Sequence, residues 1–205
     1  MLTALEVIMM NGDKDFLIKY ESIVTFNYQM ASKLREMLTM TYEPAYILTL
    51  KLDEATQAFF DELRQRNFPS ERNYLSAHLT LFHKLPPQPD TISALAHFRF
   101  SAFQLKATGL KNLGKGVAYR MEAESLSQIH SKLKSIFVNQ LSAQDNQGFR
   151  GHVTVQNKVS SDQSKQLLLH LTTEFIPFTA HALGLDLWEY LGGPWSHLQY
   201  FPFDN

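Results

Sequence analysis

Two tetrapeptides of the same form occur in separate halves of the chain, His-Leu-Thr-Leu beginning at His78 and His-Val-Thr-Val beginning at His152. A histidine whose pKa lies near its ordinary value of about 6.5 can accept or donate a proton at neutral pH. A threonine hydroxyl can donate a hydrogen bond to an anionic oxygen. The two matched pairs predict one site in which His78 and His152 transfer protons while Thr80 and Thr154 hold the oxygens of a phosphate group.

The alternation within each motif is typical of a β-strand. Side chains two positions apart on a strand lie on the same face, so each histidine shares a face with its threonine. The other four motif residues take the opposite face and are predicted core residues: Leu79, Leu81, Val153 and Val155. If the two strands lie side by side, the imidazoles can flank one phosphorus atom and act as base and acid in an in-line displacement without a metal ion. The spacing does not assign which histidine takes which role.

The elements that must position the motifs are predicted from the pattern of apolar and turn residues after Pro44. Their order is strand, helix, motif strand, short helix, hairpin, helix, motif strand, helix and two closing strands. The predicted bounds are 45–52, 53–68, 78–85, 91–98, 103–123, 125–141, 152–159, 160–175, 178–190 and 196–203. Asp53 is placed to cap the first helix, and Ser125 and Ser160 each begin a Ser-x-x-Gln pattern that predicts a capping box. Each motif strand follows a helix, which predicts two similar strand–helix–strand halves.

The first part of the chain differs in composition from the rest. Residues 1–43 contain six of the seven methionines, and 28–40 has apolar residues at helical spacing. This segment is interpreted as an N-terminal extension, either an accessory element that packs on the domain or a simple upstream addition. Residues 44–205 are predicted to form a single domain that contains both motifs.

Composition excludes several other classes of protein. The chain has 205 residues, a formal net charge of −1 and no cysteine. Disulfides and thiolate chemistry are therefore excluded, and a general electrostatic attraction to duplex nucleic acid is not expected. No stretch reaches the roughly 20 apolar residues that span a bilayer, and the N-terminus has no basic leader and carries Glu6 in its short apolar run. We expect a cytoplasmic protein that acts as a monomer and has no membrane partner.

The paired motifs resemble those of the two-histidine phosphoesterase superfamily, which includes 2′-5′ RNA ligase-like proteins and 2′,3′-cyclic nucleotide phosphodiesterases. The resemblance covers roughly residues 44–203 and rests on His78, Thr80, His152 and Thr154, while the C-terminal LWEYLGGPWSHLQYFPF also looks like the closing strands of that group. It implies an α+β fold that is bilobal, with two pseudo-symmetric lobes of antiparallel-rich sheet and flanking helices around a central cleft. It also implies metal-independent hydrolysis of a 2′,3′-cyclic phosphate on a nucleotide or RNA end, with 2′-5′ ligation as the reverse reaction.

A few further residues are candidates for contact with such a substrate. Arg150, two positions before the second histidine, could reach a phosphate, although an ordinary solvated arginine fits the sequence equally well. Tyr46 could stack on a base or belong to the core, and so could three other aromatic residues, Tyr119, Trp188 and Trp195. His83 lies five positions after His78, so on a regular strand it takes the opposite face and a structural role. Relatives in the resembling superfamily often have proline just before the second histidine, and Gly151 at that position predicts a more mobile loop.

No cofactor is expected, and the sequence has no histidine spacing typical of a metal site. Two functions other than a phosphodiesterase remain open. A nucleotide- or RNA-binding module could keep the site with little turnover, in which case nucleotide would bind tightly without forming product. Alternatively the repeated motif is coincidental in a structural protein, and the two histidines then lie far apart in the fold.

Overall fold

The computed structural model describes residues 43–204 together with the isolated positions 24, 25 and 30. The helix predicted over 28–40 therefore lies, except at position 30, outside the described residues. The chain divides into two compact units, Met1–Glu43 and Pro44–Asn205, and the helices and strands around the motifs belong to the second. Within residues 43–204 this unit combines four α-helices with an antiparallel sheet, so the predicted α+β class is confirmed.

Seven strands in the described part of the second unit form one antiparallel sheet, in the order β1-β2-β5-β4-β3-β6-β7. Their bounds are β1 Ala45–Leu52, β2 Leu79–Leu85, β3 Phe103–Asn112, β4 Val117–Glu122, β5 His152–Gln156, β6 Phe178–Tyr190 and β7 Trp195–Pro202. β6 also pairs with β1 along the whole of β1, which closes six strands into a barrel-like ring. β7 pairs with β6 outside that ring.

The helices lie close to their predicted positions. Their bounds are α1 Glu54–Asn67, α2 Pro89–His97, α3 Glu124–Ile136 and α4 Ser161–Glu174. Asp53 caps α1 as predicted, since its carboxylate accepts a hydrogen bond from Thr56 N at 3.0 Å. The capping box predicted at Ser160 is present on α4. The box predicted at Ser125 is wrong because the N-cap of α3 is Ala123, so that Ser125 lies inside the first helical turn.

The apolar face of the sheet packs against the helices in one hydrophobic core. All four aliphatic residues of the motifs belong to it and are at most 2% exposed. Helix residues in the same core are Phe60, Leu95, Leu126, Ile129, Leu133 and Leu171. Burying an aliphatic side chain of this size contributes about 1.5–3 kcal/mol. A slip of either motif strand by one residue would bury its histidine and expose its aliphatic residues, so the core determines which face each motif residue takes.

The two motif strands are neighbours in the sheet. Leu79 of β2 lies opposite Val153 of β5 in an antiparallel pair. β1, α1 and β2 form one strand–helix–strand unit, and β4, α3 and β5 form the other, so the predicted halves are present within one continuous sheet. Their description as two lobes around a central cleft stays a prediction.

β2 is irregular at the last residue of its motif. The pairing of β1 with β2 shifts by one residue after Thr80, and the inserted residue is Leu81. Leu81 and Phe82 are consecutive, yet both are at most 2% exposed. Because an inserted residue reverses the alternation of the strand beyond it, His83 returns to the face of Thr80. The prediction that His83 takes the opposite face is therefore wrong, since it assumed a regular strand.

Candidate active site

Each motif histidine lies across from the threonine of the other motif. The register in which β2 pairs with β5 at Leu79, extended by one residue, places His78 opposite Thr154 and Thr80 opposite His152. Directly opposed residues in such a pair have Cα atoms about 4.5–5.5 Å apart, and diagonal neighbours such as the two histidines lie about 7–8 Å apart. All four side chains are half-buried. The fold thus brings the four predicted residues together on one face.

The two imidazoles are held in the same way. His78 Nδ1 lies 2.8 Å from the carbonyl oxygen of Ser76, and His152 Nδ1 lies 2.9 Å from that of Arg150. A carbonyl oxygen can only accept, so Nδ1 of each ring carries a proton and donates it. Nε2 of each neutral ring then keeps a lone pair, which can accept a proton from another group.

Burial lowers the pKa of both motif histidines, but not equally. At His78 burial is the main cause, and it lowers the pKa to about 4 although the hydrogen bond to Ser76 acts in the opposite direction. The positive charges of Arg64, His83 and His152 lower the pKa further. Burial also lowers the pKa of His152 below 6.5, against the opposing effect of its backbone bond. Because the shift is larger at His78, this ring loses its proton at a lower pH than His152 does.

His78 lies in an enclosed, partly aromatic part of the site. Its ring packs against Trp195 of β7, with ring centroids 4.6 Å apart and planes inclined at 47°. The guanidinium of Arg64 in α1 is buried and donates to the carbonyl oxygens of Leu75 at 2.8 Å and Thr154 at 3.2 Å. One buried cation therefore connects the segment before the first motif to the strand of the second motif.

His152 lies in an open, cationic part of the site. Arg120 of β4 pairs with His152 in the sheet and so shares its face. Lys111 of β3 is near enough for its charge to lower the pKa of His152, after burial as the main cause. Both cations line a cavity of about 910 Å³, whose other charged lining residues are Lys106, Arg150, Glu122 and Glu124, so cations outnumber carboxylates there. The predicted substrate contact, Arg150, thus stands in the wall of a cavity within the size range of small-molecule sites.

Gly151 separates Arg150 from His152 and is closely packed. A Cβ atom at this position would lie 2.7 Å from both Leu126 Cδ2 and the carbonyl oxygen of Met121. The carbonyl of Gly151 also accepts a hydrogen bond from Met121 N at 2.9 Å. Close approach of two backbone segments is therefore the reason for glycine here, because a residue with a Cβ, proline included, does not fit.

His83 shares the face of the motif residues because of the insertion in β2. Its Nδ1 lies 3.2 Å from Oδ1 of Asp145, whose side chain is 1% exposed. Asp145 also accepts hydrogen bonds from the backbone N–H groups of His83 and Lys84 at 2.8 and 2.9 Å. These bonds attach the loop that precedes the second motif to the strand that carries the first. Burial is the main cause of the lowered pKa of each motif histidine, and His83 is close enough to lower both pKa values further.

The predicted aromatic contacts divide into two groups. Tyr46 pairs with the last residue of β2 and packs against the hydrophobic core, so it is not brought to the motif residues. Tyr119 is 5% exposed and belongs to the same core. Trp188 and Trp195 instead line a second cavity, whose wall also includes His78.

Local spacing does not predict Arg120, Lys111 or Asp186 as site residues. They belong to β4, β3 and β6. These strands come to lie near the motif strands only when the sheet forms. Arg120 and Asp186 each have apolar neighbours on both sides, which is the ordinary pattern of a strand with one polar face, so the sequence does not single them out.

Two matched His–Thr pairs on adjacent strands of a closed antiparallel sheet define an α+β protein of the two-histidine class. The sequence profile of the 2′-5′ RNA ligase superfamily matches residues 52–194, a range that includes both motifs. The chain belongs to this superfamily of two-histidine phosphoesterases, and the predicted relationship is confirmed.

Solved structures with a similar fold include bacterial relatives. LigT of E. coli complexed with 3′-AMP is 16% identical, with a TM-score of 0.55, and the match covers 80% of this chain and 100% of LigT. TT0787 of Thermus thermophilus is 16% identical, with a TM-score of 0.55, and the match covers 77% of this chain and 97% of TT0787. At this level of identity the likeness shows the fold alone. No curated protein gives a significant match.

Two further properties concern the described residues only. Within residues 43–204, no group of three or more His, Asp or Glu side chains is arranged to hold a metal ion. Single histidine–carboxylate contacts do occur, such as that of His197 Nε2 with Asp186 Oδ1 at 2.8 Å. In the described part of the chain, no helix combines the length and the apolar character needed to cross a membrane.

Proposed function

We propose that the protein is a phosphodiesterase that hydrolyses a 2′,3′-cyclic phosphate on a nucleotide or an RNA end, by paired histidine catalysis without a metal ion. The observation that carries the proposal is the common arrangement of His78 and His152. Each donates Nδ1–H to the carbonyl two residues earlier, and each belongs to the face of the two motif threonines. A histidine with a purely structural role needs no second copy on the adjacent strand. Membership of the superfamily supports the same conclusion.

The surroundings of the two rings support a division of roles. His78, with a pKa of about 4, is neutral near pH 7, so its Nε2 can take a proton from the attacking water. His152 keeps a higher pKa, which a bound phosphate anion raises further, and its Nε2–H donates to the departing 3′ oxygen. The P–O3′ bond breaks as the bond from phosphorus to the water oxygen forms. The products are a 2′-phosphate and a free 3′-hydroxyl, and exchange with solvent restores the original protonation of both rings.

The threonines bind the phosphate in this proposal. Within residues 43–204 the hydroxyls of Thr80 and Thr154 make no hydrogen bond, so each can donate to a non-bridging oxygen. Charge accumulates on those oxygens as water adds to phosphorus, so the donors stabilise the transition state more than the bound substrate. Arg120 and Arg150 add positive charge beside His152.

We also propose that the two strand–helix–strand halves act as pseudo-symmetric lobes around a central cleft. The crossed register, in which each histidine opposes the threonine of the other motif, is what an approximate twofold axis between β2 and β5 produces. One cavity is lined by residues of β3 and β4, and the other by residues of β1 and β6. Each half would then contribute one His–Thr pair to a single substrate.

The substrate is proposed to be a nucleotide or an RNA end. LigT, a relative in fold, has been crystallised with 3′-AMP and with NADP+. Ligation that forms a 2′-5′ link would use the same displacement, with an RNA hydroxyl in place of water as the nucleophile and the 3′ oxygen again as the leaving group. The monomeric state and the cytoplasmic location remain part of the proposal; the absence of cysteine is compatible with a reducing compartment.

Hydrolysis of 2′,3′-cyclic nucleotides in the presence of EDTA tests the proposal. We expect the wild-type protein to form 2′-phosphates, and we expect His78→Ala and His152→Ala each to lose activity by about 10²–10⁴-fold. The matched control is His97→Ala. His97 is an exposed histidine of α2 that bonds the carbonyl of Ser93 in its own helix, so its removal should leave the rate unchanged.

Two results would contradict this mechanism. Either full activity in one of the two motif variants or a requirement for added metal ion would exclude paired histidine catalysis. Tight binding of nucleotide with no product after long incubation would instead identify a binding module that has kept the site without turnover.

A further inference from the structure

A cavity separate from the cationic one lies between β1, β6 and the loop before β2. Its volume is about 290 Å³, and His78 forms part of its lining, so it opens beside the first motif. Small-molecule sites begin at a volume of about 300 Å³. The cavity is therefore suited to a small, flat group, such as the base of a nucleotide whose phosphate lies at the histidines.

Two tryptophans form an aromatic wall of this cavity. The rings of Trp188 and Trp195 have centroids 6.3 Å apart and planes inclined at 55°. The indole N–H of Trp188 donates to Thr49 Oγ1 at 2.9 Å, which holds the ring in place. Tyr74, in the loop that lines the cavity, is 72% exposed. Half-buried aromatic faces of this kind bind nucleobases by stacking.

A buried carboxylate lines the same cavity. Asp186 is 6% exposed, and its Oδ1 accepts a hydrogen bond from His197 Nε2 at 2.8 Å. Its Oδ2 forms an ion pair with Lys51 Nζ at 3.7 Å, a separation too long for a hydrogen bond. An ionised carboxylate has about four lone-pair positions. Asp186 therefore keeps acceptor capacity in the wall of the cavity, and a ligand with N–H donors can use it.

We propose that this cavity binds the base next to the cyclic phosphate and that Asp186 selects bases with an exocyclic amino group, guanine above all. Guanine presents two adjacent N–H donors on its Watson–Crick edge, which match the two oxygens of a carboxylate. Adenine and cytosine present one amino group beside an unprotonated ring nitrogen. Uracil places its single N–H between two carbonyl oxygens, which a carboxylate repels. The inference rests on the proposed function, because the base belongs to the proposed substrate.

The position of β7 agrees with this subsite. The strand lies outside the closed ring of six strands, so closure of the sheet does not require it. It supplies Trp195, which packs against His78, and His197, which bonds Asp186. A base in the cavity would therefore lie next to the histidine that acts on its own cyclic phosphate.

Tryptophan fluorescence provides a direct test. The chain has two tryptophans, and both line this cavity, so the intrinsic emission reports on its occupancy. The probes are 3′-GMP and 3′-UMP, which have no cyclic phosphate and cannot be turned over. We expect 3′-GMP to change the emission and to bind at least about tenfold more tightly than 3′-UMP, as hydrogen bonds to a charged group allow. Asp186→Asn should bring this ratio close to one.

The matched control is Glu189→Gln. Glu189 belongs to the same strand as Asp186, on the opposite face, and does not line the cavity, so the ratio should stay at its wild-type value. Equal affinity of the wild-type protein for the two probes would overturn the proposal. This comparison uses the wild-type protein alone, so it does not depend on whether a variant folds. A ratio that survives in folded Asp186→Asn would also overturn it. Selective binding of 3′-GMP without hydrolysis of any cyclic nucleotide would support the subsite and refute the proposed turnover.

Discussion

The two motifs have the same form, yet their surroundings differ. His78 packs against Trp195 at the edge of a small cavity with a buried carboxylate, and its pKa falls to about 4. His152 lies beside a large cavity lined by four cations, and its pKa is lowered less. The repeated tetrapeptide supplies matched geometry, while different neighbours keep the His78 ring deprotonated to a lower pH and leave the His152 ring the more readily protonated. A duplicated motif thus need not be a duplicated function.

The largest expected effect is a difference in activity between the His78 and His152 variants on a substrate with a weakly basic leaving group. A general acid matters little when the leaving group is weakly basic, so His152→Ala should recover most of its activity on the p-nitrophenyl ester of a 3′-deoxynucleoside 2′-phosphate, which has no neighbouring hydroxyl to attack in place of water. His78→Ala should keep its loss of about 10²–10⁴-fold on the same ester, because the attacking water still needs a base. Release of p-nitrophenolate measures both rates. Recovery in the His78 variant instead would reverse the roles.

A smaller effect compares the two threonine hydroxyls that are proposed to bind the phosphate. Valine replaces threonine with nearly the same shape and keeps the β-branch that a strand favours, so Thr80→Val and Thr154→Val remove a donor without disturbing the core. We expect each to lower kcat by about 10²-fold, as loss of one transition-state donor does. Thr172→Val, at an exposed position of α4, is the control and should leave kcat unchanged. A loss at one threonine only would show that the two halves do not bind the phosphate symmetrically.

The smallest effect is a shift in the pH profile of kcat/KM. A base acts only when deprotonated, so activity should fall as the pH drops through the pKa of His78, about 4 in the wild type. Trp195→Leu admits water around that ring and reduces the burial that lowers its pKa, so the acid limb should move to higher pH. Trp188→Phe is the control, because Trp195 is the tryptophan whose ring packs against His78. An acid limb that stays in place in the Trp195 variant would show that burial there does not control the base.

Much of the fold could be predicted because its elements follow local rules. β1 was predictable over its full length from its alternation, and the box at Ser160 from its spacing. Ser125 shows the limit of the same rule, since a Ser-x-x-Gln pattern is also found one residue inside a helix that starts at Glu124. His83 shows a second limit, because a residue inserted in β2, invisible in the sequence pattern, changes the face of His83 before a second shift restores the alternation at Leu85.

The sequence by itself determined the four residues at the centre of the candidate site and the face that each takes. The physical reason is local: residues two apart on a strand share a face, and buried aliphatic neighbours set the register. Only the tertiary structure decided what stands around them. Trp195, Asp186 and Arg120 reach the site through pairing between strands distant in sequence, and the unequal pKa values of His78 and His152 follow from burial. Neither long-range register nor burial can be read from residue spacing, because both depend on the closed sheet as a whole.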